Sequence, residues 1–369
     1  MRPRRVLVTG VSRYLGGRLV RMLADDPEIE RVIGVDSNLP RVDLGRTQFV
    51  RADIRNPMIG KVIASAGVDT VVHMNLVATP IGAGGRTAMK ETNVIGTMQL
   101  LAACQKSPTV RKLVVKSTTA VYGSSTHAPA LYTEDLETKG HPRGGYAKDA
   151  VEVEGYVRGF GRRRPDVAVT LLRFTNFVGP TIDSPLTRYL ALPVVPTVLG
   201  YDPRLQLCHE DDALEILRLA TLQDRPGTFN AGGKGVLLLS QAIRRAGRVS
   251  VPVPTAAVSV TGNIFRRAGI VDFSPEQMRF IEHGRTADVT RLHDRFGYHP
   301  RYTTEEAFDA WVQESGLRLV LDPDRMVDVE RGLLELLSRG NGLVGRPTTV
   351  TSIAGPRPVP ALTRRTLHA

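Results

Sequence analysis

Cysteine is scarce in this chain, with two residues, Cys104 and Cys208, among 369. Two cysteines cannot build a disulfide framework, and no short-spaced group of Cys and His has metal-ligand spacing. No metal is expected, and a reducing compartment fits. Long apolar runs are missing as well. None approaches the roughly 20 residues that span a bilayer. The amino terminus, "MRPRRVLVTG", is basic, but its apolar stretch is too short for a signal peptide and leads directly into a candidate strand. A cytoplasmic protein is therefore expected. Acidic residues are in the minority: 37 Asp and Glu face 49 Lys and Arg, for a net charge of +12. A basic excess can signal nucleic acid, but these arginines are scattered, with one short run at Arg162–Arg164. A solvated surface with a mild attraction for anionic ligands accounts for them, and no nucleic-acid partner is expected.

What is abundant is alternation. β-Branched runs at 5–10, 31–36, 47–53, 68–74, 111–118 and 168–174 are separated mostly by helical stretches, notably 15–26, 86–106 and 145–163. Apolar strands alternating with helices predict an α/β fold, a doubly wound parallel sheet covered on both faces. After Gly179-Pro180 the pattern turns irregular and proline-rich. A strand returns at 227–233, and 303–315 reads as a helix opened by a threonine cap with acids in its first turn. From about Gly340 the composition of Gly, Pro and Thr lacks periodicity and predicts a largely disordered tail. The expected organisation is a dinucleotide-binding domain over 1–182, completed by segments within 203–233. A smaller C-terminal substrate domain follows over 183–320, then a C-terminal helix and tail over 321–369.

"TGVSRYLGG" (9–17) follows the first strand and opens the first helix, the context that gives a glycine-rich loop meaning. Gly10 permits a tight turn and Gly16 lets helix and sheet pack closely. The loop Gly10, Arg13, Tyr14, Leu15 and Gly16 offers amides and a helix N-terminus to a pyrophosphate. Asp36, ending the second strand 20 residues past Gly16, suits the adenosine ribose hydroxyls and repels a 2′-phosphate. NAD is expected over NADP.

These motifs, with "RADIRNP", "VVHM", "ETNVIGTMQLLAAC", "KSTTAVYG", "YTED", Tyr146, "LLRFTNFVGP", "CHEDDA", "GTFNAGG" and "RFGYHPRYTTEEA" in order, resemble the extended short-chain dehydrogenase/reductases. The likeness is to their NAD-dependent epimerase/dehydratase branch, of the UDP-glucose 4-epimerase type, over residues 4–315. The resemblance implies a Rossmann-type NAD domain and a cofactor that oxidises a sugar carbon transiently and returns the hydride. It implies Asp53 and Ile54 beside the adenine, and Asn93 near the active centre holding adjoining backbone. It further implies Thr118 as catalytic Ser/Thr, Tyr146 as catalytic tyrosine, and Asn176 facing the substrate's phosphates. A homodimer through the helices bearing "ETNVIGTMQLLAAC" and "YAKDAVEVEGYV" is also implied.

Two positions depart from that pattern. Arg13 stands where the family has its second glycine, and a guanidinium there can pair with a cofactor phosphate. Ala150 stands where the family has the lysine that lowers the tyrosine pKa and holds the nicotinamide ribose. Lys148 cannot replace it, because residues two apart on a helix point roughly 200° from one another. Lys116 is better placed: on a strand it shares a face with Thr118. Either Lys116 supplies the displaced charge as a third catalytic residue, or the site lacks it.

The substrate half matches less well. Leu205, with Arg204 adjacent, stands where the epimerases carry an arginine, and Arg279 is the nearest candidate for the later phosphate-binding arginine. His209 reads as a hydrogen-bonded structural residue. The apolar stretch 249–265 suits domain core or a site for a less polar substrate. The leading expectation is an NAD-dependent oxidoreductase acting on a nucleotide-linked sugar. The alternatives are a dinucleotide-binding sensor or partner protein without turnover, and an NAD(P)-dependent reductase of a less polar ketone or alcohol.

Overall fold

Seven of the apolar runs pair side by side, all parallel, into one sheet. The computed structural model describes residues 4–80, 84–136, 142, 145–254 and 275–317, which fall within one compact unit, Met1–Met326. The expected tail, and most of the apolar stretch 249–265, lie outside the described residues.

In chain order the elements are β1 (Arg5–Thr9), α1 (Tyr14–Ala24), β2 (Arg31–Asp36), β3 (Gln48–Arg51), α2 (Met58–Ala66), β4 (Thr70–His73) and α3 (Arg86–Lys90). A π-turn (Glu91–Ile95) joins α3 to α4 (Gly96–Lys106). Then come β5 (Lys112–Thr118), α5 (Gly145–Arg163), β6 (Ala168–Phe174), β7 (Asn176–Val178), α6 (Pro185–Leu190), β8 (Val194–Val198), β9 (Arg204–Leu205), β10 (Leu207–His209), α7 (Glu210–Leu222) and β11 (Gly227–Ala231). β12 (Leu237–Leu238), α8 (Leu239–Arg245), β13 (Val249–Val253) and helices over Pro275–His283, Thr290–Asp294 and Thr304–Glu314 follow. The last of these opens with the expected cap: Thr303 and Glu306 form a reciprocal capping box.

The large sheet runs β11-β6-β5-β4-β1-β2-β3. Its order reverses between β1 and β4, the point beyond whose C-terminal strand ends sheets of this class bind ligands. Alternate residues of each strand feed two apolar layers. Val8, Val72 and Val114 pack with Leu19 and Leu23 of α1 and Leu214 and Leu217 of α7. Leu7, Val71, Leu113 and Val115 pack on the other side with Ile59, Leu100 and Val153 of α2, α4 and α5. A third cluster, including Val178, Leu207, Phe308 and Trp311, builds the region after β6.

Helix 86–106, continuous in the sequence pattern, is interrupted by the π-turn. The Asn93 amide explains the break. Its Oδ1 accepts from the Val77 amide at 2.7 Å and its Nδ2 donates to the Val77 carbonyl at 2.9 Å. The extra residue of a π-turn re-aims such a side chain, and these turns concentrate at functional sites.

Two polar chains cross the core, each with its donors matched. In one, Glu154 accepts from Ser117 Oγ at 2.6 Å and from Arg173 Nη2 at 2.6 Å. Arg173 Nη1 donates to the Tyr122 hydroxyl at 2.8 Å, which donates to Asn230 Oδ1 at 2.7 Å. This ties α5, β5, β6 and β11 together. In the other, His73 Nδ1 lies 2.8 Å from Thr9 Oγ1 and Nε2 2.8 Å from Thr97 Oγ1. Thr97 donates its proton to the Asn93 carbonyl and Thr9 accepts from the Met74 amide. The remaining roles assign a neutral ring with the proton on Nε2. Burial, helped by the nearby Lys116 charge, pulls the His73 pKa down to about 4.

Both chains are testable by urea unfolding. Glu154→Ala strands the Arg173 guanidinium in the core and is expected to cost about 3–5 kcal/mol. Breaking the solvent-screened Arg5–Glu30 pair by Glu30→Ala should cost far less. Equal effects would show that the buried chain is not a structural tie. Unfolded His73 takes up a proton as pH falls below its ordinary 6.5, while folded His73 resists until about 4. Its contribution is intact above pH 6.5 and is lost progressively toward pH 4, by about 3 kcal/mol. His73→Gln should remove that acid-dependent component; an unchanged pH slope would refute the assignment.

Candidate active site

The site begins at the β1–α1 loop. Gly10 has φ +80°, and a Cβ at Gly16 would come 2.2 Å from the Gly10 carbonyl oxygen. Only glycine allows α1 to start so close to the strand end, which is what brings its N-terminus over the sheet. Asp36, buried at the end of β2, faces this loop. Its Oδ2 accepts from the Ser12 amide at 3.0 Å and the Ser12 hydroxyl at 2.7 Å, and Oδ1 accepts from the Asn38 amide at 3.0 Å. These donors fix the carboxylate at the edge of the cleft with acceptor capacity remaining for ribose hydroxyls.

Arg13 is the N-cap residue of α1 in extended conformation, with no side-chain cap. Its side chain is exposed. Surrounding protein lowers its pKa by desolvation, opposed by the charges of Asp36 and Tyr146. Arg13 therefore lies in the fields of both ends of the cleft. Tyr14 turns away: its hydroxyl accepts from Arg18 at 2.9 Å and lies 3.4 Å from Glu210 Oε1, docking α1 on α7. Leu15 packs partly buried against the core. Asp53 is held by Arg55 at 2.6 Å, and buried Ile54 packs under Gly96, where a Cβ would meet it at 2.7 Å. Asn93 holds Val77 on the π-turn and reaches Asp149 Oδ2 at 3.3 Å.

β5 and α5 meet at Thr118 and Tyr146. The burial pattern of β5 alternates at its end, with Lys116 and Thr118 half-buried and Ser117 buried on the opposite side. Thr118 Oγ1 accepts from the Ala120 amide at 3.1 Å and acts on the Tyr146 hydroxyl, favouring its ionised form. Burial pushes the Tyr146 hydroxyl up to about 12. Thr118 and the charges of Arg285 and Arg13 act against it, and Asp149 adds to it. Ala150 is fully buried in the apolar layer, and Lys148 is exposed, on the other side of the helix. Lys116 places its Nζ 5.8 Å from the Phe177 ring centroid. Burial and the Arg13 charge pull its pKa down to about 8.

Two features escape the sequence pattern. The start of α5 is clamped by Arg86, whose guanidinium makes two 2.7 Å bonds to buried Asp149 and one of 2.9 Å to the Gly145 carbonyl. The other is Arg285. Its Nη1 lies 3.3 Å from the Gly123 carbonyl and 3.4 Å from Ser124 Oγ, just past the "VYG" segment. The sequence points to Arg279 for a late arginine; that residue is exposed on the Pro275–His283 helix. Arg285 is aimed by its backbone: its amide lies 3.4 Å from the Arg204 carbonyl, and a Cβ at Gly284 would come 2.5 Å from that oxygen. The backbone beside Leu205 thus positions Arg285, while the Leu205 side chain is buried in the third cluster. The only hint in sequence was "HGRTADV", a glycine-arginine pair six residues beyond Arg279.

Asn176 is half-buried on β7, paired with Leu207 of β10. His209 caps α7, its Nδ1 accepting from the Asp211 amide at 3.2 Å, and stacks on Tyr302 at 3.9 Å. Among the described residues, no group of three or more His, Cys, Asp and Glu has the arrangement to hold a metal ion. No described helix is long and apolar enough to cross a membrane.

Residues 6–232 match the model of the NAD dependent epimerase/dehydratase family. An uncharacterised protein of Mycobacterium tuberculosis is 49% identical over 341 residues, 91% of either chain. A probable UDP-arabinose 4-epimerase of Oryza sativa is 30% identical over 190 residues, 47% of this chain and 45% of that protein. Among solved structures, the UDP-glucuronic acid 4-epimerase of Bacillus cereus in complex with UDP-glucuronic acid and NAD superposes with TM-score 0.65. It is 20% identical over 84% of this chain and 98% of that one. The UDP-glucose 4-epimerase of Thermotoga maritima gives 0.64, again at 20% identity over 84% and 98%. The chain belongs to the NAD-dependent epimerase/dehydratase family.

Proposed function

We propose that the chain is an NAD-dependent oxidoreductase that acts on a nucleotide-linked sugar by transient hydride transfer. The observation that carries this reading is Thr118 at the C-terminal end of β5 acting on Tyr146 at the start of α5, beside the Gly10–Gly16 loop and the Asp36 carboxylate. NAD fits the residues present. Asp36 would hold the adenosine ribose, Asp53 and Ile54 would border the adenine, and the Gly10–Gly16 loop would face the pyrophosphate. When bound, NAD supplies the hydride acceptor and donor. Residues 1–182 with the returning strands carry this site, and 183–320 supply the substrate side.

The chain's own residues handle the proton. Thr118 polarises the reacting oxygen and Tyr146 exchanges its proton. With a pKa near 12, only about one Tyr146 in 10⁵ is ionised at pH 7, so the resting hydroxyl is a proton donor. Taking a proton requires the phenolate to be stabilised, and Arg285 and Arg13 are the cations whose charges favour it. Asn176, on β7, would face the substrate's phosphates.

A second reading rests on Ala150. Its burial, with the raised Tyr146 pKa, also suits a protein that binds the dinucleotide without turnover.

Calorimetry and a turnover screen against UDP- and dTDP-linked sugars separate the two. NAD should bind more tightly than NADP, and Asp36→Ala should weaken NAD and narrow that gap. Tyr146→Phe should lower turnover at least about 100-fold with NAD affinity within about twofold. NADP binding as tightly as NAD would overturn the role of Asp36. NAD binding with no turnover of any sugar nucleotide would favour the second reading.

A further inference from the structure

Lys116 and Arg13 are two cations that face the same cleft and reach it from different elements. Lys116 comes from β5, two residues before Thr118, and Arg13 from the N-cap of α1. Each is close enough for its charge to act on its surroundings: Arg13 on Lys116, Lys116 on His73, and Arg13 on Tyr146. Among the described residues, neither cation makes a hydrogen bond or an ion pair. Lys116 lies over the face of Phe177, its Nζ 5.8 Å from the ring centroid. Asp36 acts on Arg13 from a distance without pairing with it, its oxygens being held by Ser12 and Asn38. Two like charges held together, half-desolvated and without a counter-ion, oppose folding. An anion seated between them reverses that effect.

The position says which anion. Asp36 marks one end of the cleft, and Thr118 and Tyr146 mark the other. Arg13 feels the charge at both ends. A dinucleotide laid from Asp36 to Tyr146 must carry its pyrophosphate past the N-terminus of α1, where Arg13 stands. We propose that Arg13 and Lys116 together form a two-cation seat for the pyrophosphate of the bound dinucleotide, with Arg13 taking the place of the loop glycine and Lys116 approaching from β5. The proposal rests on the cofactor reading above and adds residues and a pH response to it.

The seat has a titratable half. Lys116, at about 8, carries its charge at pH 7 and has lost most of it at pH 9. The other groups around it do not change over that range. His73 is neutral with both nitrogens bonded, Tyr146 holds its proton, and Arg13 stays charged. Pyrophosphate affinity therefore falls as pH rises from 7 to 9, through Lys116.

The test uses the full chain and ADP-ribose, which has the pyrophosphate and adenosine but no nicotinamide, with binding followed by calorimetry at pH 7 and pH 9. Lys116→Met and Arg13→Gly should each weaken ADP-ribose at pH 7 by about tenfold or more. The unmodified chain should weaken between pH 7 and 9. Lys116→Arg, which keeps its charge throughout, should bind at pH 7 like the unmodified chain and lose the pH dependence. This last variant decides the matter if Lys116→Met does not fold. Unchanged affinity in Lys116→Met, or the same pH dependence in Lys116→Arg, overturns the seat while leaving NAD binding intact. If the unmodified chain binds neither NAD nor ADP-ribose, the cofactor reading fails and the seat with it.

Discussion

A methyl group sets the electrostatics of this site. Ala150 lies one turn beyond Tyr146 on α5 and is fully buried among Val121, Val153 and Leu113. No charge can reach the tyrosine from its own helix at that turn. Whatever stabilises a phenolate has to come from other elements, and the chain brings Arg13 from the first loop and Arg285 from beyond β13. Neither outweighs burial, because guanidinium groups on separate elements act at longer range than a lysine stacked one turn away. The tyrosine is left as a strong proton holder.

The rest of α5 is fastened accordingly. Arg86 and Asp149 clamp its first turn, Asn93 links that clamp to the Val77 backbone, and Glu154 anchors its middle through Ser117 and Arg173. Asp149 has a cost at the site, since its charge adds to the burial that raises the Tyr146 pKa. The clamp fixes where the hydroxyl sits and leaves its ionisation to the arginines. Position and charge, which a single lysine supplies together in the resembled pattern, are divided here between separate groups.

The fold was largely legible because strand periodicity and glycine placement are local. β2 and β6 occupy the residues their apolar runs mark, and Thr303 caps the helix its sequence announces. The π-turn was not legible. Asn93 is helical in every local respect, and the break comes from the Val77 backbone 16 residues away. The same limit applies to the site. Gly10, Asp36, Thr118 and Tyr146 sit at element ends, where sequence position nearly fixes spatial position. Arg285 does not. It reaches the Gly123 carbonyl through a close backbone contact between Gly284 and Arg204, which depends on how distant segments pack. Arginine 279 and arginine 285 look alike in sequence, and only packing tells which one is aimed inward.

If Arg13 seats the pyrophosphate, a substitution at a loop glycine need not destroy a dinucleotide site. A glycine there serves by absence, letting backbone amides approach the phosphates. Arginine gives up that approach but carries a full positive charge in extended backbone, with no left-handed strain to absorb: its φ is −88°. A guanidinium brings a full charge and can give a phosphate two parallel N–H bonds, so one guanidinium can offset a lost amide contact. It also creates a requirement that glycine does not. With Lys116 nearby and Asp36 paired with neither cation, two positive side chains face the single carboxylate. Like charges assembled at the switch point of a parallel sheet are stable neighbours only to an anion, so the same substitution that alters the motif also narrows what can fill it.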